Sequence, residues 1–297
     1  MKTLRSGNWV RRILTAMAFV AATPAFADVV VTTNGNVAVA DIKLPTAASP
    51  QYSAVVTITF DSVVNLTPGS LNLTAEIIPP ASISLISGVS LDPNFQVLIS
   101  VEPQVSLYRN SFENGETGDG NLDFLNTYLF EIHTTNLECS SPSSQYRLFK
   151  APHGSTTFAD VTSDLFAGSV RARGRGGAFS QFIVVKDGRV PLFVAVDKTL
   201  TLVARTVQAG ITGPLLTLIN SILGDLLLIP NIPAAIAAVT AFINGITAAA
   251  GVTIANEWTA GGALTNDAGD LISLAQSLLF TLNGLNGSPA CTAAPSG

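Results

Sequence analysis

The side chains in this 297-residue sequence whose types and spacing could do chemistry fall into a few small groups. Asp119, Asn121 and Asp123 alternate along an acidic, Gly-rich stretch, with Glu113 and Glu116 close by. That is the one-three-five spacing at which a calcium loop offers oxygen ligands. The sixth position of such a loop is Phe124, where an EF-hand needs Gly, and the twelfth is Phe130, where it needs a bidentate Glu. Calcium is thus the one cofactor the spacing admits, against the plainer reading of a solvated linker. Arg171, Arg173 and Arg175 also alternate, so on a strand they share one face. The row could hold a phosphate, sulfate or carboxylate, or it could pair with Asp160, Asp164, Asp187 and Asp197, which is the commoner use of charges on exposed strands.

Nucleophile and base signatures are weak. Ser155 follows His153-Gly154, and Ser180 sits in Gly-Ala-Phe-Ser-Gln, but neither has the Gly-x-Ser-x-Gly frame of a strand-to-helix elbow. His133 alternates along an apolar strand, where a structural role outweighs a catalytic one. No catalytic residue is assigned, and a hydrolase would need a Ser/His/Asp site assembled at long range. The two cysteines and two histidines lack the close ligand pairs of a zinc site. The glycines at 174–177 are not followed by Lys-Ser/Thr, so they form no phosphate loop.

Residues 1–27 read as a secretory signal peptide: Lys2, Arg5, Arg11 and Arg12, then apolar Ile13 to Ala22, then Ala25-Phe26-Ala27 as the cleavage site. A partial twin-arginine pattern at Arg11-Arg12 has poorly matching neighbours, and Asp28 in place of Cys argues against a lipid anchor. Export to the periplasm, cell surface or exterior follows. In that oxidising setting Cys139 and Cys291 are expected to pair, tying the C-terminal tail to the middle of the chain. Without the leader, 11 Lys and Arg face 20 Asp and Glu, a net charge of −9, which disfavours nucleic acid and anionic lipid as partners. All 11 basic residues lie before residue 206. The segment beyond holds only Asp225, Glu257, Asp267 and Asp270 as charges, so composition divides the chain there.

The elements that would position these groups follow from periodicity. From Asp28, short runs rich in Val, Ile and Thr are broken by Pro, Gly, Asn and Asp. Val29 to Thr33 and Val37 to Leu44 flank an Asn34-Gly35 hairpin signal, and strands follow at Tyr52 to Phe60, Leu71 to Ile78, Ile83 to Ile86 and Phe95 to Tyr108. That rhythm predicts an immunoglobulin-like β-sandwich over residues 28–108, with a small open barrel as the competing architecture. Residues 109–123 form an acidic Gly-rich linker. A second β unit spans 124–206, with strands at Leu125 to Leu137, Tyr146 to Lys150 and Phe158 to Thr162, and a hairpin over Ser169 to Val185 turning at 174–177. Val190 to Val196 leans to strand, and Thr199 to Val207 is left open.

Tyr108-Arg109-Asn110-Ser111-Phe112-Glu113 resembles the aromatic-x-x-Gly-Phe-Glu segments that follow immunoglobulin-like modules in exported Gram-negative bacterial proteins of unknown function, with Ser111 in place of Gly. The resemblance implies an exported β-rich protein and carries no activity and no site residue.

Residues 207–297 predict an apolar helical domain of about three helices. Pro214 to Ile229 sets Leu215, Leu218, Ile219, Ile222 and Leu226 against Thr217, Asn220, Ser221, Gly224 and Asp225, and Pro230 ends the helix. After Asn231 as cap, Pro233 to Ala250 carries an Ile236, Val239, Ile243, Ile246 stripe. Asp267 to Asn283 sets Leu271, Leu274, Leu278 and Leu282 against Ser273, Gln276, Ser277 and Thr281. The run from Leu226 to Asn256 is long enough to span a bilayer, but its prolines, polar stripes and lack of flanking Lys or Arg favour helices packed on themselves and on the β unit. Their weakly polar outer faces suit another protein or an apolar ligand. The fold class is therefore α+β with several domains. The function expected is an exported non-enzymatic binding or structural protein; an apolar-ligand carrier and a hydrolase are the alternatives.

Overall fold

The computed structural model describes residues 27–45, 51–105, 110–111, 117–118, 121–140, 144–227, 230–262 and 265–293. The rest of the signal segment, Asp119, and Tyr108, Arg109, Phe112 and Glu113 of the exported-protein segment lie outside these residues.

β1 (Asp28–Asn34) and β2 (Val37–Leu44) form the expected hairpin, displaced by one residue. Asn34 pairs with Val37, so Gly35-Asn36 is the loop, and Gly35 takes φ 57°. A positive φ at the first loop position is what a right-twisted two-residue hairpin requires and what Gly tolerates. β3 (Tyr52–Val64) continues the meander. α1 (Pro68–Leu71), closed by a reciprocal Thr67–Ser70 capping box, leads to β4 (Leu73–Ile77), β5 (Val89–Leu91) and β6 (Val97–Val101). The strand expected at Ile83 to Ile86 does not form. Pro79 and Pro80 instead open a 3-10 turn over Pro80–Ser82, and Ser84 makes one isolated bridge to Thr157. β7 (Asn110–Ser111) and β8 (Thr117–Gly118) make a small ladder. Then come β9 (Asp123–Cys139), β10 (Tyr146–Ala151), β11 (Ala159–Asp160), β12 (Thr162–Phe166), β13 (Gly168–Gly176) and β14 (Gln181–Asp187).

Two antiparallel sheets result. One runs β1-β2-β3-β9-β13-β12, with β15 (Glu257–Thr259) added beside β9; the other runs β11-β10-β14-β6-β4, with β5 beside β14. They share one core in which Phe130 and Phe182 stack with ring centroids 3.9 Å apart. This corrects the expectation of a self-contained sandwich over 28–108 followed by a separate unit over 124–206. β3 pairs with β9 and β6 with β14, so the two stretches each build half of both sheets. Alternation along a strand reports which face is buried, not which strand lies beside it.

The predicted hairpin over Ser169 to Val185 is also corrected, because β13 and β14 belong to different sheets. The glycines make the corner that joins them. A Cβ at Gly176 would collide with the Tyr128 phenol, and one at Gly177 with the backbone of Gly269 and Asp270.

Four helices follow among the described residues: the three expected after residue 207, and one before them that was not expected. α2 (Pro191–Gln208) occupies the stretch that leaned to strand. Pro191 opens it at its first turn, and Val194, Ala195, Lys198, Thr199, Leu202 and Thr206 are buried at helical spacing, so packing overrides the β-branched composition. α3 (Pro214–Leu227) and α4 (Ile232–Ala249) come next, with Asn231 capping α4 through the Ala234 amide as expected. α5 (Asp267–Leu285) starts at the cap Asn266. On α4 the buried stripe is Ala235, Val239, Phe242 and Ile246, rotated slightly from the expected one. α4 is, by length and composition, the helix among the described residues able to cross a membrane, with mean hydropathy 1.7.

α5 departs most from expectation, since Ser273, Ser277 and Thr281 were assigned to an outer polar face and are buried. Leu271, Ala275, Leu278 and Leu282 pack into the helical core, while the serine side meets the sandwich. Ser273 Oγ donates to the Arg175 carbonyl, and Ser277 Oγ donates to the Asp160 carbonyl at 2.9 Å. At the N-terminus of α5, Asn266 Nδ2 donates to the carbonyl of Asn126, itself at φ 62° in a bulge of β9, and Asn256 Nδ2 reaches the Asn126 side chain at 3.0 Å.

Cys139 and Cys291 form a disulfide across 152 residues, with Cα atoms 6.3 Å apart. Beside it, Thr292 and Leu165 share a backbone bond of 2.9 Å, which seats the tail on β12. Reduction is expected to cost about 2–5 kcal/mol, read as a fall of roughly 5–15 °C in melting temperature with and without reductant. Gly177→Ala is expected to destabilise by about 1–3 kcal/mol or more in urea unfolding, because backbone must move. Gly224→Ala, in open space on α3, is expected to be neutral or to stabilise by up to about 1 kcal/mol.

Candidate functional site

A cleft of about 580 Å³ opens where the sandwich, α2, α5 and the C-terminal tail meet. Its residues come from the starts of β10 and α2, from β12, from the turn after β14, and from the last turns of α5. The disulfide-tied tail, Ser288 to Thr292, supplies one wall. Leu165, Val194, Leu279 and Phe280 are among its apolar lining residues. Arg147, Asp164, Asp187 and Arg189 are its charged ones.

Asp187 and Arg189 flank Gly188 in the turn leaving β14, close enough to bond bidentately: Arg189 Nε and Nη2 donate to the two carboxylate oxygens at 2.9 and 2.7 Å. Burial pushes the Asp187 carboxyl up, but the Arg189 side chain and amide, with Arg147 further off, outweigh it and hold the group below 3.8. Asp197 lies 3.8 Å from Arg189 on its solvent side. Behind the cleft, Lys198 Nζ sits 2.6 Å from Asp160 and donates to Ser277 Oγ at 2.8 Å, the Ser277 carbonyl at 3.0 Å and Thr281 Oγ1 at 2.9 Å. Burial lowers the Lys198 pKa and Asp160 opposes that without cancelling it. Asp160 Oδ1 accepts from the Thr162 amide and hydroxyl, whereas the buried Oδ2 has the Lys198 ammonium as an ion-pair contact and no hydrogen bond among the described residues. Arg147 differs. Its Nη1 donates to the carbonyls of Ser144 and Tyr146, its guanidinium lies 5.2 Å from the Phe280 ring centroid, and no carboxylate among the described residues pairs with it.

The residues singled out in the sequence lie elsewhere. Arg171, Arg173 and Arg175 share a face of β13, as expected, and engage Glu131, Asp61 and Thr127 of neighbouring strands rather than Asp160, Asp164, Asp187 or Asp197. Of the calcium candidates, Asp119 lies outside the described residues, Asp123 starts β9, and Asn121 accepts a backbone bond from Asn65 Nδ2 at 2.7 Å. Among the described residues no cluster of three metal-ligating side chains occurs.

On the outer face of the larger sheet, His133 Nε2 and Ser169 Oγ stand 2.7 Å apart beside Arg171. Burial and Arg171 lower the His133 pKa against Glu131, which favours the neutral base. A nucleophile–base contact is present, but no carboxylate among the described residues bonds the other ring nitrogen, the orienting role a triad needs. Sequence reasoning missed Arg147, the Asp187–Arg189 pair and Lys198. Lys198 carried a signal in retrospect, as the one cation in the 194, 195, 198, 202 stripe of an apolar helix.

Because the folded-state pKa of Asp187 is depressed, its contribution to stability is present above about 4 and lost as pH falls through the folded value. Asp187→Asn is therefore expected to cost about 2 kcal/mol at pH 7, with the difference from the parent chain shrinking in urea unfolding at pH 3.

No significant match was found among curated proteins or among solved structures. A family model described as a family of unknown function, DUF6689, matches residues 13–286 and so takes in both sheets, the described helices and the cleft apart from its tail wall. The chain is a member of the DUF6689 family.

Proposed function

We propose that this chain is an exported, non-catalytic binding protein of the cell envelope or exterior, and that its ligand is a small, partly apolar molecule held in the cleft between sandwich and helices. The observation that carries the reading is the cleft, whose volume of about 580 Å³ lies in the range of small-molecule sites and whose walls combine apolar side chains with a few fixed polar ones. The ligand is assigned to the cleft and not to the bundle interior because Ile219, Ile222, Phe242, Leu271 and Leu278 close on one another there with no exposure. Export draws its support from the leader pattern and from a disulfide of the kind that persists in oxidising compartments. Kinship with exported proteins that carry immunoglobulin-like modules belongs to the same reading and is supported by the antiparallel sandwich.

Purified with its disulfide intact, the protein is expected to bind a neutral solvatochromic dye at one saturable site. Leu279→Trp, which fills the cleft, is expected to abolish that binding while the chain still unfolds cooperatively, with a melting temperature lowered by no more than a few degrees for the overpacking of a half-buried side chain. Dye binding that survives the substitution would overturn the assignment.

A further inference from the structure

The charges around the cleft do not cancel in pairs. Asp187 is neutralised by the bidentate Arg189, and Asp160 by Lys198. Asp197 is largely exposed and lies 3.8 Å from Arg189, and Asp164, which lines the same cleft as Arg147, is exposed, bonded by Ser163 Oγ at 2.9 Å and in no ion pair with Arg147 among the described residues, so water screens both. Arg147 remains as a cation without a carboxylate partner, its Nε and Nη2 making no hydrogen bond among the described residues. Its plane is carried by Phe280, which also lines the cleft, and its one anchored nitrogen leaves the rest of the planar fork for a ligand. The first turn of α2, which has no side-chain cap, reaches the cleft through Pro191 and Val194 and brings a positive helix end to it. Leu279, Val194 and Leu165 line the same cleft.

Resting on the cleft being the binding site, we propose that its ligand is an anionic amphiphile: a single carboxylate or phosphate group taken by Arg147, on an apolar body laid against Phe280, Leu279, Val194 and Leu165. Arg geometry suits either head group, since both present two oxygens to a guanidinium fork. A neutral apolar molecule leaves the cation desolvated and unpaired, which is the basis for selection.

The test is isothermal titration of the full disulfide-bonded chain at pH 7 and low salt with decanoate, decyl phosphate, decanol and inorganic phosphate. At least one of the two charged amphiphiles is expected to bind at one site tenfold or more tighter than decanol, and inorganic phosphate alone to bind far more weakly. Arg147→Met is expected to remove that tenfold preference, weakening the charged amphiphile and, with the unpaired cation gone, binding decanol no less tightly than the parent chain, and Arg147→Lys, which keeps the charge but not the fork, to retain part of it. Equal affinity for charged and neutral chains, or an Arg147→Met variant that keeps the preference, sinks the proposal. Phosphate binding as tightly as decyl phosphate sinks it too, by making the apolar wall irrelevant. If the neutral dye binds and neither charged amphiphile does, the anionic assignment alone fails; if the dye also fails to bind, the cleft reading falls with it.

Discussion

α5 is buried on two sides, and the rest of the structure is arranged around that constraint. A helix covered by other helices on one side and by a β-sandwich on the other cannot leave polar groups uncompensated. Its sandwich side therefore carries small residues at four-residue spacing, Gly269, Ser273, Ser277 and Thr281, which permit close approach and still offer hydroxyls. Those hydroxyls meet backbone carbonyls of the sheets and the Lys198 ammonium. Gly177 and the bulge at Asn126 are the matching adjustments on the sandwich side. Each piece is small, yet together they set the one angle at which the bundle can sit.

The Lys198–Asp160 pair lies in the same layer and has a different energetic meaning. Two charges taken out of water gain little net stability from one another, whereas removing either partner leaves a buried charge at a cost of about 3–5 kcal/mol. The pair thus acts against wrong dockings of α2 on the sandwich more than it drives the right one. Its neighbour pair, Asp187–Arg189, does the same for the turn that enters α2. Once these two ion pairs are satisfied, the remaining Arg147 faces a cleft and not a carboxylate. The functional reading grows from that imbalance.

Where local chemistry decides an outcome, the sequence was legible. Asn231 caps the helix it precedes, Pro214 opens α3, and Gly35 turns the first hairpin, because these effects act within a turn or two of chain. Burial on the helical side of α5 was legible for the same reason, from its leucine spacing. Illegible were the partners of strands, since β3 and β9 or β6 and β14 find each other across tens of residues without any local mark. The helix α2 was misread because Val and Thr favour strands in isolation, while its packing against α3 and α5 rewards the helical stripe.

From the sequence alone came a leader pattern, a cysteine pair suited to an oxidising compartment, an apolar one-sided C-terminal region and the face shared by Arg171, Arg173 and Arg175; each depends on composition or on spacing within one element. Only the tertiary structure decided that the two β stretches make a single sandwich, that the serine side of α5 is interior, and that the arginine row is spent on Glu131 and Asp61. It alone brought Arg147 to one cleft with Phe280 and a tail tied by Cys291, both more than a hundred positions further along the chain. The physical reason is that side-chain periodicity is a property of a segment, whereas a site is made by which segments the core and its buried charges force together.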